Sequence, residues 1–139
     1  MEYALVDTGI WLAMFDPRDQ HRKRIEEIAE FLDICYLILP WPTLYETLRT
    51  RLVRNRNALK NFEVYLKRSN ITFLDDEPYR ETAFQTCFSS SLQTFRPLSM
   101  VDCLMRLILE DINVKINYLA TFNDDDFIDV CQKRQVEII

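Results

Sequence analysis

Tyr36-Leu37-Ile38-Leu39, an apolar run closed by Pro40, decides the fold class of this chain. A strand with one face in water alternates apolar and polar residues. An unbroken apolar run instead suits a strand covered on both faces, as in parallel sheets buried between helices. Working outward, short β-prone runs recur at Tyr3-Ala4-Leu5-Val6, Ile71-Thr72-Phe73-Leu74, residues 116–121 and residues 136–139. Longer stretches with helical periodicity separate them. Residues 20–32 place Ile25, Ile28, Ala29 and Leu32 at three- and four-residue spacing, as one face of an amphipathic helix requires. Thr8-Gly9 leads into a helix-like stretch over 10–15, and Pro42-Thr43 opens a helix carrying Leu44, Leu48 and Leu52 on one side. Further helices are expected over about 58–67, 79–95, 99–110 and 124–133. Strands of about four residues alternating with longer helices predict one α/β domain over residues 1–139. Its mainly parallel central sheet would have four or five short strands, flanked by helices on both faces.

Composition removes several classes of function. With 139 residues, 48% of them hydrophobic, the chain can bury one sizeable core. No clean apolar run is longer than that over residues 34–39, far short of the roughly 20 residues that span a bilayer. No basic stretch followed by an apolar core opens the chain, so a cytoplasmic protein is expected. Cys35, Cys87, Cys103 and Cys131 are widely spaced among apolar neighbours, which suggests buried free thiols. His21 is the single histidine, so a zinc site lacks ligands. Gly9 is the single glycine, which excludes the glycine-rich loops that cradle phosphates. The net charge of −5 argues against non-specific attraction to nucleic acid. It is unevenly spread: residues 1–70 hold 11 basic and 10 acidic side chains, residues 71–139 hold 6 and 12.

The acids fall where an α/β sheet binds ligands, beyond the carboxyl ends of its strands. Asp7 closes the first strand, and Asp124-Asp125-Asp126 follows the fourth after Thr121-Phe122-Asn123. Glu46 and Asp102 stand out differently, as acids among apolar residues, each three positions after a Thr or Ser. That spacing equally fits a capping box, in which the acid reaches back to its own helix's N-terminus. Asp102 has a second structural option, an ion pair with Arg106 one turn on. The Asp124–Asp126 run also suits the positive end of a helix. Taken jointly, three or four carboxylates without His or Cys make an oxygen-ligand site for Mg²⁺ or Mn²⁺. The matching chemistry is metal-assisted phosphodiester hydrolysis.

The ordered set Leu5-Val6-Asp7-Thr8-Gly9, Glu46, Leu98-Ser99-Met100-Val101-Asp102 and Thr121 to Phe127 resembles the PIN domain of VapC-type toxin ribonucleases. The resemblance covers nearly the whole chain. It implies a Mg²⁺-dependent endoribonuclease, with Mn²⁺ able to substitute. Asp7 and Asp102 would hold the metal, Glu46 would be the third acid, and Asp126, or else Asp124, the fourth. Thr8, Ser99 and Thr121 would be hydroxyls that orient the acids, with Asn123 beside them; Thr8 and Ser99 also suit plain helix caps. A small antitoxin partner and a homodimer are implied as well.

An acidic pocket repels RNA, so basic flanks are needed. Arg49, Arg51, Arg54 and Arg56 fall within eight residues, starting one turn beyond Glu46, and Arg18, Arg22, Lys23 and Arg24 form a second cluster. Either group would give salt-sensitive RNA binding, or else form a solvated helix face. Other functions fit less well. A housekeeping RNA-processing nuclease shares the acids, and a binding scaffold would not need them. A phospho-receiver wants an acidic pair after the first strand and a Lys after the last, whereas Asp7 stands alone and the chain ends at Ile139.

Overall fold

The computed structural model describes residues 1–49 and 51–139. Five strands form its sheet: β1 (Tyr3–Val6), β2 (Tyr36–Pro40), β3 (Ile71–Leu74), β4 (Tyr118–Ala120) and β5 (Glu137–Ile138). All pairings are parallel, in the order β3-β2-β1-β4-β5. Helices α1 (Thr8–Phe15) and α2 (Arg22–Ile34) join β1 to β2. Helix α3 (Trp41–Leu48), a 3-10 turn (Arg51–Arg54) and α4 (Arg56–Leu66) lead to β3. Helices α5 (Glu77–Leu92) and α6 (Met100–Glu110) then cross back to β4. A 3-10 turn (Asp124–Asp126) and α7 (Ile128–Arg134) close the chain onto β5.

Strand alternation builds two cores from one sheet. Successive strand side chains point to opposite faces. Ala4, Val6, Leu37 and Leu39 therefore pack with Ile10, Trp11, Leu32 and Phe62 from α1, α2 and α4. Leu5 and Ile38 pack the other way, against Ala83, Leu104, Ile108 and Val130 from α5, α6 and α7. The expected α/β class with helices on both faces is what the chain adopts. Among the described residues no helix is long and apolar enough to cross a membrane. All four cysteines are free, three of them buried and Cys87 partly so.

The early apolar residues divide between core and surface. Ile10, Trp11, Leu44 and Leu52 are buried, whereas Trp41, Tyr45 and Leu48 are exposed on α3. Trp41 stacks on Phe73 of the edge strand β3, with ring centroids 5.0 Å apart. The expected helix over 124–133 is instead a 3-10 turn followed by α7.

The strand order fixes where a ligand site can form. The chain moves from β1 through β2 to β3 on one side, then returns to place β4 and β5 on the other. Connections therefore leave β1 and β4 in opposite directions, opening a crevice beyond their carboxyl ends. Asp7 follows β1 and Thr121 follows β4 at that crevice.

Candidate active site

Asp7 sits where β1 gives way to α1. Its backbone is still extended, and its N–H donates to Ala120 O on β4 at 3.0 Å. The side chain caps α1: Oδ1 accepts the Thr8 N–H at 2.8 Å. Oδ2 accepts the Thr121 hydroxyl at 2.8 Å, a bond between residues 114 apart in sequence. Thr121 is itself fully buried and also accepts the Asn123 N–H, at 3.1 Å. Asp7 is only 6% exposed. Burial, then the charges of Asp102 and Glu46, push its carboxyl up to about 6, despite the two hydrogen bonds that oppose the shift.

Glu46 reaches the same crevice from α3. Spacing suggested a capping box with Thr43, but α3 begins at Trp41, with Pro42 in its first turn. Proline suits that position because its missing N–H has no helical partner to lose. Thr43 is therefore inside the helix, and its hydroxyl donates to Pro40 O at 2.7 Å. Glu46 is left half-buried, and its Oε1 accepts the Thr8 hydroxyl at 2.8 Å. Thr8 is the first residue of α1, not its cap, and so links Glu46 to the residue next to Asp7.

Asp102 approaches from α6, and here the capping box is real. Its N–H donates to Ser99 Oγ at 3.0 Å, and the Ser99 N–H donates weakly to Asp102 Oδ2 at 3.4 Å. Capping places the half-buried acid in the first turn of α6, at the sheet end where its charge acts on Asp7 and on Asp126. Of the three consecutive acids, Asp124 and Asp125 are exposed and Asp126 is half-buried. Burial, then the Asp102 charge, raises the Asp126 carboxyl above its ordinary range, with Arg96 and Arg106 opposing.

Of the two structural options for Asp102, the ion pair with Arg106 does not form; Arg106 takes a longer-range partner. Arg106 forms a bidentate pair with Asp129 at 2.7 Å on each arm and donates to Asp126 O at 2.7 Å. Arg96 adds a bond to Asp125 O at 3.1 Å. These two arginines fix the turn that carries Asp126; spacing offered Arg106 only Asp102 as a partner and gave Arg96 no role. The available signal was a lone Arg106 in an otherwise apolar stretch over 103–109.

Other candidate residues are spread around this centre. A cavity of about 420 Å³ beside the acidic turn is lined by Arg24, Phe122 and residues 123–126. His21 stacks on Phe122 at 4.2 Å, and Arg24 lies over the same ring at 5.5 Å. Arg22 is turned away, donating to Met14 O at 2.7 Å. Asp75-Asp76, which follows β3, is structural: buried Asp76 pairs with Arg80 at 3.1 Å. Arg49 is exposed at the end of α3, whereas Arg51, Arg54 and Arg56 share a separate cleft.

Compared with family models and with curated proteins, the chain matches none. The site is therefore read from its own chemistry. Its donors are all oxygens, which suits a hard divalent cation. Buried Asp7 has like charges as its charged neighbours, which a cation would relieve. Among the described residues no three acidic, His or Cys side chains stand close enough to enclose an ion as they are. Mg²⁺ tolerates this, since it commonly takes one or two carboxylates and completes its shell with water and substrate oxygens.

Proposed function

We propose that this protein is a divalent-metal-dependent endoribonuclease of the PIN type. The observation that carries the reading is buried Asp7, at the switch point between β1 and β4, under the charge of both Glu46 and Asp102. A carboxylate in that position is costly to the fold, and a ligand cation gives it a use. Asp7 and Asp102 would hold Mg²⁺ or Mn²⁺, with Glu46 and Asp126 completing the acidic surround. Bound there, the ion would supply charge that makes water a better nucleophile and offsets charge on the leaving oxygen of a phosphodiester.

The chain's own groups prepare that step. Thr121 and the Thr8 N–H fix both oxygens of Asp7, and the Thr8 hydroxyl fixes Glu46. Such supporting bonds hold ligands in one orientation before substrate arrives. Glu46 and Asp126 would accept a proton from water or return one to the leaving oxygen. Arg96 and Arg106 keep the Asp126 turn from drifting. The finer reading, a toxin held in check by a small antitoxin and acting as a homodimer, comes from the motif resemblance.

The test is cleavage of a structured RNA with Mg²⁺ or with EDTA, by wild type, Asp7→Asn and Asp102→Asn. Expected is cleavage by wild type with Mg²⁺ alone. Activity that ignores EDTA, or survives both substitutions, rules the proposal out. A binding scaffold without activity is the second reading, favoured by the open spacing of the acids. It predicts no cleavage in any arm.

A further inference from the structure

A cleft of about 580 Å³ opens between the end of α1 and the start of α4. Arg18, Arg51, Arg54 and Arg56 line it, facing the single carboxylate of Asp16. Four positive charges against one negative leave a local balance of +3 in a chain whose net charge is −5. Asp16 is buried at the C-terminal end of α1, where it accepts the Arg18 N–H at 2.9 Å and pairs with Arg51 Nε. That pair holds Arg51 against the cleft wall. Among the described residues, Arg54 and Arg56 have no acidic partner, and both are exposed. Asn55 caps α4 at the same place through the Ala58 N–H, so the positive end of that helix adds to the field.

Guanidinium forks match phosphate oxygens two by two, and like charges crowded together favour a multivalent anion. Helix α1 connects this cleft to the acidic crevice, since Asp7 caps its start and Asp16 its end. At about 1.5 Å of rise per residue the two lie about 13 Å apart along the helix. A stacked nucleic-acid strand, at about 3.4 Å per base, covers that in about four nucleotides.

We infer that the Arg18–Arg51–Arg54–Arg56 cleft grips backbone phosphates of a single-stranded RNA about four nucleotides from the bond held at Asp7. The inference rests on the ribonuclease reading for its substrate. It makes substrate length a property of the fold: a strand held at Asp7 but too short to reach the cleft gains nothing from the arginines.

Binding measured by fluorescence anisotropy in EDTA tests this without cleavage. The probes are labelled single-stranded oligoribonucleotides of about twelve and about three nucleotides, each titrated at several salt concentrations. Removing two single-strand phosphate contacts lowers the slope of log K against log salt by about 1.4. For the twelve-mer, Arg54→Ala/Arg56→Ala is expected to show that drop and at least a tenfold weaker Kd near 0.1 M salt. With Mg²⁺, cleavage should fall in the variant for the twelve-mer and stay unchanged for the three-mer, which cannot reach the cleft from Asp7. Both arginines are exposed, and an unchanged thermal unfolding midpoint confirms that the variant folds.

An unchanged slope for the twelve-mer overturns the inference, as does an equal loss of cleavage for both lengths, or no wild-type binding of the twelve-mer. So does a cleft that binds poly-glutamate in preference to RNA, which marks a protein partner's acidic segment. Cleavage with Mg²⁺ and an unmoved slope removes the cleft alone. A slope lowered in the variant without cleavage keeps the cleft and removes the nuclease.

Discussion

Asp7→Asn should make the metal-free protein more stable, although it removes a residue central to the proposed chemistry. In the fold the Asp7 carboxyl lies at about 6, against 3.8 for an unperturbed aspartate. At about 1.4 kcal/mol for each tenfold change in the equilibrium, that displacement costs about 3 kcal/mol at neutral pH. The sign follows from proton binding. Between pH 4 and 6 the folded chain holds a proton that the unfolded chain has released, so stability falls as pH rises through that window. Asparagine carries no charge to desolvate, and its Oδ1 can still accept the Thr8 N–H. Its amide cannot accept the Thr121 hydroxyl in place of Oδ2, which returns about 1 kcal/mol. The net expectation is a gain of roughly 2 kcal/mol at pH 7.5 in EDTA, shrinking towards zero or below by pH 4. Urea unfolding followed by circular dichroism measures it. A variant less stable than wild type at pH 7.5 in EDTA, or a gain that does not shrink on acidification, would refute the reasoning.

Four further outcomes follow from the same geometry. Mg²⁺ or Mn²⁺ at millimolar concentration should raise the unfolding midpoint of wild type but not of Asp7→Asn, read by differential scanning fluorimetry. Thr8→Val removes the hydroxyl that fixes Glu46, and RNA cleavage should fall about 10- to 100-fold with little loss of stability. Arg106 and Arg96 hold the Asp129 carboxyl well below its usual range. That stabilisation is complete above the unfolded carboxylate range and is lost as pH falls below about 4; Asp129→Asn should flatten this part of an acid-unfolding curve. Phe62 is 1% exposed and packs against Trp11 and Phe15, so Phe62→Ala should cost about 3–5 kcal/mol in denaturant unfolding.

The fold was legible because one physical constraint dominates it. A sheet covered on both faces demands unbroken apolar strands, and Leu37, Ile38 and Leu39 declare that locally. Asp7 at a strand end was legible for the same reason. The position of Glu46 was not, because the spacing from Thr43 to Glu46 matches a capping box whether or not the helix starts at Thr43. Pro42 moved that start to Trp41, and only tertiary packing brings Thr8 within 2.8 Å of the acid. Asp102 showed the opposite: its capping bond and its charge acting on Asp7 are compatible, so the two readings never competed. The partner of Arg106 was not legible, because the acids one helical turn away in sequence, Asp102 and Glu110, are not the one it meets. Its partner Asp129 arrives only when α7 docks on α6.

The bond from Thr121 to Asp7 has a consequence for how the protein comes into being. A ribosome delivers Asp7 some 114 residues ahead of Thr121. At about 5–20 residues per second the interval is roughly 6 to 23 seconds. Throughout that time β1 has no β4 beside it, and neither Asp102 nor Asp126 has been placed. If the ribonuclease proposal holds, the nascent chain therefore cannot cut RNA, including the messenger and the ribosome that are making it, until β4 and the turn that carries Asp126 have joined the sheet.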